Sequence, residues 1–158
     1  MAYFTLVKFF GKSFDSGLFI VNNQHLALIP WCLRGGISKY GVGKSRWASE
    51  TYPEAYWKPP NSKWWDAYDQ EEVVIIDEFY GWLPYCEMLR LLDRYPCQVE
   101  TKGGSVNFAP KEIIILSNKA PEDWYDKNKC AWEPLERRIE AYGQMMPGGH
   151  VMWLKQTE

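Results

Sequence analysis

Gly41-Val42-Gly43-Lys44-Ser45 is typical of the end of a phosphate-binding loop, and Val73-Val74-Ile75-Ile76-Asp77-Glu78 is an apolar strand that ends in two carboxylates. Glycines permit the backbone angles at which N–H groups of the first three loop residues point at phosphate oxygens. Lys44 would reach the β- and γ-phosphates, and the hydroxyl of Ser45 would bind Mg²⁺. Each segment alone is weak evidence. Together, in this order, they indicate the two halves of an ATPase site.

The two carboxylates at the end of the strand have different expected roles. Asp77 would hold the Mg²⁺ shell through water, and Glu78 would orient and deprotonate the attacking water. The end of a buried strand is where ligands bind in α/β sheets; an acid pair that only caps the next turn is the alternative. Asn118 ends the apolar strand Ile113–Ser117. Its amide would contact the γ-phosphate or the attacking water, and an ordinary turn-forming Asn is the alternative.

Strands alternate with helices from Ser38 onward, which predicts an α/β fold with a parallel sheet flanked by helices. Four successive β-branched residues, Val73–Ile76, suit a parallel strand that is covered on both faces. The other expected elements are a helix from about Lys44, an ordered Pro-rich loop over Thr51–Asn61, a helix from Pro84, a hairpin with strands Val99–Thr101 and Val106–Phe108, and a helix over Pro134–Glu140.

Composition limits the class of protein. The 158 residues fit one domain, and we divide them into an unassigned segment 1–37, an ATPase domain 38–141 and a C-terminal tail 142–158. The four cysteines form no Cys-x-x-Cys pair and have no His at ligand spacing, so neither zinc nor disulfides are expected. No apolar run reaches the roughly 18 residues of a membrane span, and we expect neither a membrane partner nor a signal peptide.

Local basic features are the candidates for contact with nucleic acid, because a net charge of −2 gives no overall attraction. Lys102-Gly103-Gly104 is the basic tip of the expected hairpin, where Lys102 and Gly103 would track a single-stranded backbone; a plain surface turn is the alternative. Arg137-Arg138 is the kind of pair usually found on a solvated helix face. In a ring ATPase, however, such an arginine reaches a neighbour's γ-phosphate and stabilises the transition state.

A longer set of motifs surrounds these sites in order along the chain. They are Trp57-Lys58-Pro59-Pro60-Asn61-Ser62-Lys63-Trp64-Trp65-Asp66, Phe79-Tyr80-Gly81-Trp82-Leu83-Pro84, Leu91-Leu92-Asp93-Arg94-Tyr95-Pro96, Val99-Glu100-Thr101-Lys102-Gly103-Gly104, Ile113-Ile114-Ile115-Leu116-Ser117-Asn118, Asp123-Trp124-Tyr125 and Leu135-Glu136-Arg137-Arg138-Ile139. With the phosphate loop, they resemble the superfamily 3 helicase domain of circovirus-type replication-associated proteins. The resemblance covers about Gly41 to Ile139.

The resemblance implies a P-loop NTPase of AAA type that assembles as a homo-oligomeric ring, typically a hexamer. Its cofactors would be ATP and Mg²⁺, and it would unwind nucleic acid during rolling-circle replication in the host nucleus. Single-stranded DNA is the expected partner, and RNA is the alternative because similar domains are grouped with viral RNA helicases. The matching residues are Lys44 and Ser45 of Walker A, Asp77 and Glu78 of Walker B, Asn118 as the motif C sensor, Lys102 in the hairpin motif, and Arg137 or Arg138 as the arginine finger.

Two features depart from the family pattern. Ser38 stands where the first glycine of the phosphate loop belongs, and residues 1–37 do not resemble the family. Family members also carry a nicking domain with a His-x-His metal site, whereas this sequence has only the separated His25 and His150, so we expect no nicking activity. The alternative to an active helicase is an inactive truncated or endogenised remnant that only binds nucleic acid or oligomerises. A small-molecule kinase is a third alternative, in which the Lys102 hairpin would have no role.

Overall fold

The computed structural model describes residues 2–8, 43–145 and 151–156. Ser38, Gly41, Val42 and both histidines lie outside these ranges. The strands are β1 (Ala2–Lys8), β2 (Tyr56–Lys58), β3 (Val73–Ile76), β4 (Cys97–Thr101), β5 (Gly104–Phe108), β6 (Glu112–Ser117), β7 (Ala141–Met145) and β8 (Val151–Gln156). The helices are α1 (Lys44–Thr51), α2 (Tyr85–Leu91) and α3 (Glu133–Glu136), with a 3₁₀ turn at Pro121–Asp123. None of the helices described is long and apolar enough to cross a bilayer.

Six strands form one mixed sheet in the order β2-β3-β6-β1-β7-β8. Strands β2, β3 and β6 are parallel, with Tyr56 opposite Val74 and Val74 opposite Ile113. Strand β1 runs antiparallel to both β6 and β7, and β8 runs antiparallel to β7. The predicted parallel α/β sheet is therefore confirmed for three strands, whereas the three strands beyond β6 pair antiparallel.

Most of the predicted local elements are present. Strands β3 and β6 are the two apolar strands, α1 begins at Lys44, and α2 begins one residue after Pro84. The hairpin is confirmed as β4 and β5, which pair antiparallel around a tight turn at Lys102-Gly103. Two predictions were wrong: the expected loop Thr51–Asn61 contains β2, and the expected helix Pro134–Glu140 is reduced to the single turn α3.

The parallel part of the sheet is covered on both faces, as its uninterrupted apolar strands require. On one face, Ile75 and Ile114 pack with Ala48 of α1. On the other face, Val74 and Ile113 belong to a larger cluster that includes residues of α2, of the hairpin and of the aromatic loops. All six residues of β6 are buried. These contacts fix the ends of β3 and β6, where the predicted site residues lie.

A buried lysine organises the loop after β2. Lys58 is 2% exposed, and its Nζ donates hydrogen bonds to the carbonyl oxygens of Ser62 at 2.6 Å and Trp64 at 2.8 Å. The same nitrogen lies 4.9 Å from the ring centre of Trp65 and 5.5 Å from that of Trp82. Burial lowers the pKa of Lys58 from 10.5 to about 8. The ammonium of Lys58 therefore holds the loop in place through these hydrogen bonds, and it loses its own hydration by being buried.

Lys58→Met should remove a pH dependence of folding stability. Between pH 8 and 10.5 the unfolded chain binds more protons than the folded protein, because the folded pKa of Lys58 is the lower one, so the free energy of unfolding rises with pH. From pH 7.5 to 9.5 Lys58 contributes about 2 kcal/mol to this gain. Urea unfolding at both pH values measures it, with the exposed Lys63→Met as the control. An equal gain in Lys58→Met would contradict the expectation.

Candidate active site

Helix α1 begins at the lysine of the phosphate loop. Gly43 precedes it with a φ of 86°, in the left-handed region that residues with a side chain seldom adopt. The carbonyl of Gly43 accepts a hydrogen bond from the N–H of Trp47 at 2.8 Å, which closes the first turn. A Cβ on Gly43 would meet no atom within 4 Å. Glycine is therefore required there by the backbone angle and not by space. Ser45 lies half-buried in this first turn.

Lys44 connects the phosphate loop to the ends of β3 and β6. Its side chain is buried, and Nζ donates a hydrogen bond to Oδ1 of Asn118 at 2.7 Å. Burial lowers the pKa of Lys44, while the charges of Glu78 and Asp77 act to raise it. The negative charges of both carboxylates therefore stabilise the protonated ammonium and partly offset the effect of burial. The structure thus brings together the lysine, the acids and the amide that the sequence predicted in three separate segments.

The pairing of β3 with β6 explains why Asp77 and Asn118 are neighbours. The strands are parallel, with Ile76 opposite Ile115, so both lead into loops at the same edge of the sheet. Asp77 follows β3 and Asn118 follows β6. Because the apolar runs decide where each strand ends, they also decide which polar residues meet at that edge.

The loop after β3 holds Glu78 in an uncommon backbone conformation. Its φ is 48°, in the left-handed region, which costs about 1 kcal/mol or more for a residue other than glycine. The N–H of Glu78 donates to Oδ1 of Asp77 at 2.8 Å. The next N–H, of Phe79, donates to the carbonyl of Leu116 at 3.0 Å and ties the loop to β6. The two carboxylates are therefore held by the backbone at fixed positions relative to each other.

Tyr80 is a polar neighbour of this site that sequence reasoning missed. Its hydroxyl accepts a hydrogen bond from Nδ2 of Asn118 at 2.7 Å and donates one to Oε2 of Glu78. The residue appeared in the sequence only inside the motif Phe79–Pro84, where nothing distinguished a site tyrosine from a core aromatic. Its proximity to Asn118 depends on how the loops after β3 and β6 fold together.

The residues predicted to bind Mg²⁺ would supply only a few protein ligands. Within residues 2–8, 43–145 and 151–156, no cluster of three His, Cys, Asp or Glu side chains could hold a metal ion. Mg²⁺ in nucleotide sites is held by one or two carboxylates with waters and substrate phosphates. The hydroxyl of Ser45 at the start of α1 and the carboxylate of Asp77 at the end of β3 fit this donor set.

The two candidate arginines have different surroundings. Nη2 of Arg138 forms a 2.6 Å ion pair with Oδ2 of Asp93, and Nη1 donates to the carbonyl of Pro134 at 2.9 Å. The hydrogen bond and charge of Arg138 lower the pKa of Asp93. Arg138 therefore connects α3 to the segment that follows α2 in the same chain. Arg137 is exposed, so it is the one of the two whose side chain faces outward.

The predicted basic residue of the hairpin lies at its tip and is exposed. Gly103 has a φ of 93°, which suits the tight turn between β4 and β5. Asp66 anchors this tip, because its Oδ1 accepts the N–H of Lys102 at 2.8 Å and its Oδ2 pairs with Nζ of Lys102 at 3.1 Å. The hairpin is confirmed, but its turn is shorter than predicted, because Gly104 is already the first residue of β5. Contact of the tip with nucleic acid stays a prediction.

The mixed α/β fold, with a lysine at a helix start beside an acid-ended strand, is consistent with a P-loop helicase domain. A family model described as RNA helicase matches residues 33–119, which is more than half of the chain. The chain belongs to this RNA helicase family.

The curated relatives confirm the resemblance to circovirus replication proteins. The chain is 51% identical over 121 residues to the Replication-associated protein of Porcine circovirus 2, a match that covers 75% of the chain and 36% of that relative. It is 59% identical over 99 residues to the Replication-associated protein of Beak and feather disease virus, covering 63% of the chain and 34% of the relative. The chain therefore spans about a third of the length of these relatives.

Proposed function

We propose that this chain is the ATP-dependent helicase part of a viral-type replication-associated protein. It hydrolyses ATP with Mg²⁺ and uses the free energy to unwind nucleic acid in rolling-circle replication. The observation that carries the proposal is the hydrogen bond from Lys44 to Asn118 beside Asp77 and Glu78. Membership of the RNA helicase family and the circovirus relatives support it.

In this proposal the phosphates of ATP bind at the start of α1. The backbone N–H groups of Gly41-Val42-Gly43 and the positive end of the helix dipole face the anion. Lys44 exchanges its bond with Asn118 for the β- and γ-phosphates. The exchange is favourable because Asn118 is a neutral amide, and an ammonium binds a charged phosphate more strongly than a neutral acceptor.

The remaining polar groups act on the metal and the water. Ser45 and Asp77 hold Mg²⁺, which neutralises charge on the phosphates when it is bound. Glu78 orients the attacking water and takes its proton. Asn118, released by Lys44, contacts the γ-phosphate or the same water with its amide. The bond from the N–H of Glu78 to Asp77 supports this division of roles, because it fixes the base beside the metal ligand.

The assembly that we propose is a homo-oligomeric ring, typically a hexamer, in the host nucleus. Arg137 is the arginine finger that reaches a neighbour's γ-phosphate, because Arg138 is engaged with Asp93 in its own chain. The ring and the nuclear location rest on the family resemblance. Exposure of Arg137 supports the choice between the two arginines.

Single-stranded DNA is the proposed partner of the hairpin tip, Lys102-Gly103. The exposed ammonium contacts the phosphate backbone, and the glycine lets the strand approach closely. The choice of DNA rests on the resemblance to circovirus-type replication-associated proteins, and the name of the matching family supports RNA as the alternative. In a ring, one such tip per subunit concentrates positive charge in the channel although each chain is slightly acidic.

Lys102→Ala should weaken binding of single-stranded DNA several-fold and leave basal ATP hydrolysis unchanged. A phosphate contact is lost, so the salt dependence of the affinity should also become shallower. Fluorescence anisotropy with a labelled oligonucleotide at two salt concentrations measures both effects. Lys111→Ala is the matched control, because Lys111 is also exposed and paired with a carboxylate, Glu72, at the start of β3. Equal affinity of Lys102→Ala and the unsubstituted protein would refute the role of the tip.

An inactive remnant that binds nucleic acid or oligomerises is the second candidate, and the position of β1 favours it. A phosphate loop connects a strand to a helix, and Lys44 at the start of α1 contacts Asn118 after β6. Both edges of β6 are occupied, one by β3 and the other by β1. Among the described strands, only β3 runs parallel to β6, and the strand on the other side of β6 is the antiparallel β1.

Strand separation tests the proposed function. With Mg²⁺ and ATP, the purified chain should separate a DNA duplex that carries a single-stranded tail, and an RNA duplex of the same sequence less well. Faster separation of the RNA duplex would reverse the choice of substrate. A folded protein that separates neither duplex would contradict the helicase function.

A further inference from the structure

The hydroxyl of Tyr80 joins two groups of the candidate active site. Nδ2 of Asn118 donates to this hydroxyl at 2.7 Å, and the hydroxyl donates to Oε2 of Glu78. Oδ1 of the same amide accepts the bond from Lys44. The result is one chain of hydrogen bonds that runs from an ammonium to a carboxylate.

The direction of this chain follows from the donors available. The ammonium of Lys44 can only donate, and the ionised carboxylate of Glu78 can only accept. A phenol has a single proton, so Tyr80 must use it on Glu78 and use a lone pair for Asn118. Burial and then the bond to Glu78 raise the pKa of Tyr80, so this proton is retained near neutral pH. The amide orientation is thereby defined at both ends.

The loop that carries Tyr80 is fixed by contacts on both sides of it. The backbone of Gly81 has a φ of 91°, and a Cβ there would lie 2.0 Å from the carbonyl oxygen of Trp124. The turn therefore packs directly against the backbone of Trp124 and cannot move closer to it. Nε1 of Trp82 donates to the carbonyl of Glu78 at 3.3 Å. The loop is therefore closed upon itself, with the hydroxyl of Tyr80 directed over the ends of β3 and β6.

Packing alone does not account for this placement. Tyr80 is 37% exposed, so its ring contributes less to the core than the buried Phe79 beside it. A partly exposed hydroxyl gains little stability from its hydrogen bonds, since water offers equivalent ones. Both of its partners, however, are groups that the ATPase mechanism uses.

We propose that Tyr80 is a positioning residue that couples the sensor amide of Asn118 to the catalytic carboxylate of Glu78. The inference rests on the proposed ATPase function. Tyr80 holds Glu78 at the orientation in which its second oxygen takes the proton of the attacking water. When Lys44 moves to the phosphates, the bond between Asn118 and Tyr80 keeps the amide beside the carboxylate, so both act on the same water.

The test is Tyr80→Phe, which removes only the hydroxyl. We expect kcat for ATP to fall about ten-fold, the size expected for one hydrogen bond to a charged group. The KM for ATP, the affinity for a fluorescent ATP analogue and the melting temperature should not change, because the hydroxyl touches neither the phosphate loop nor the core. Tyr95→Phe, at a more exposed tyrosine outside the site, is the matched control and should keep full activity.

Double substitution separates coupling from a general disturbance. Asn118→Ala and Tyr80→Phe should be non-additive in kcat, because each breaks the same chain. Multiplicative losses would overturn the coupling, as would a kcat of Tyr80→Phe equal to that of the unsubstituted protein, or a loss that appears in KM. Absence of hydrolysis in the unsubstituted protein is a different result: it refutes the proposed function, and the role of Tyr80 with it.

Discussion

Lys44→Ala should abolish ATP turnover, with a loss of at least about 10²–10³-fold. The ammonium lies beside the ends of β3 and β6 before ATP binds. Removal of one preorganised electrostatic group from an active site lowers the rate by a factor of this order. A methyl group cannot replace it on the β- and γ-phosphates. Phosphate release from Mg²⁺-ATP measures the effect.

The position of Lys44 makes the result specific. The side chain is 8% exposed, next to Asn118, Asp77 and Glu78. Lys119→Ala is the control, because Lys119 directly follows the sensor residue but is exposed. It should retain turnover. If Lys44→Ala retained turnover in a folded protein, the site assignment would be wrong.

Glu78→Gln should lower turnover by about 10²–10⁴-fold while ATP still binds, because an amide cannot take the proton of the attacking water. The amide oxygen can still accept the hydrogen bond of Tyr80, so the loop should keep its conformation. Turnover and the affinity for a fluorescent ATP analogue are measured on the same preparation.

Glu72→Gln supplies the control for the second substitution. Glu72 lies just before β3, is exposed, and pairs with Lys111 away from the phosphate loop. Its substitution should change neither turnover nor binding. Equal losses of binding and turnover in Glu78→Gln would mean that this carboxylate supports the fold and does not act as the base.

The sequence predicted the strands, helices and hairpin that short stretches of sequence determine by themselves. The runs Val73–Ile76 and Ile113–Ser117 are apolar enough to require burial on both faces, which is typical of strands in a parallel sheet. Once they lie side by side, Asp77 and Asn118 must meet. The position of Lys44 beside them does not follow from the two strands. It was predicted from the phosphate-loop motif, in which the lysine binds the phosphates at the same site.

The missed features depend on contacts between distant segments. Strand β1 pairs with residues more than a hundred positions away, and β7 and β8 extend the sheet from β1; no local pattern specifies such neighbours. Strand β2 was missed because its three residues stand between prolines and include the buried Lys58. The ion pair of Arg138 with Asp93 and the hydrogen bond between Tyr80 and Asn118 also join segments that are far apart in the sequence. The domain division at 38 and 141 stays a prediction.

The most direct test of an active ATP site is Mg²⁺-ATP hydrolysis by the purified chain, with and without single-stranded DNA, beside Glu78→Gln. We predict hydrolysis that DNA stimulates and that Glu78→Gln removes. This result would establish that the site works with Ser38 at the first glycine position and with β1 beside β6. Absence of hydrolysis in a folded protein would contradict the account and favour the remnant.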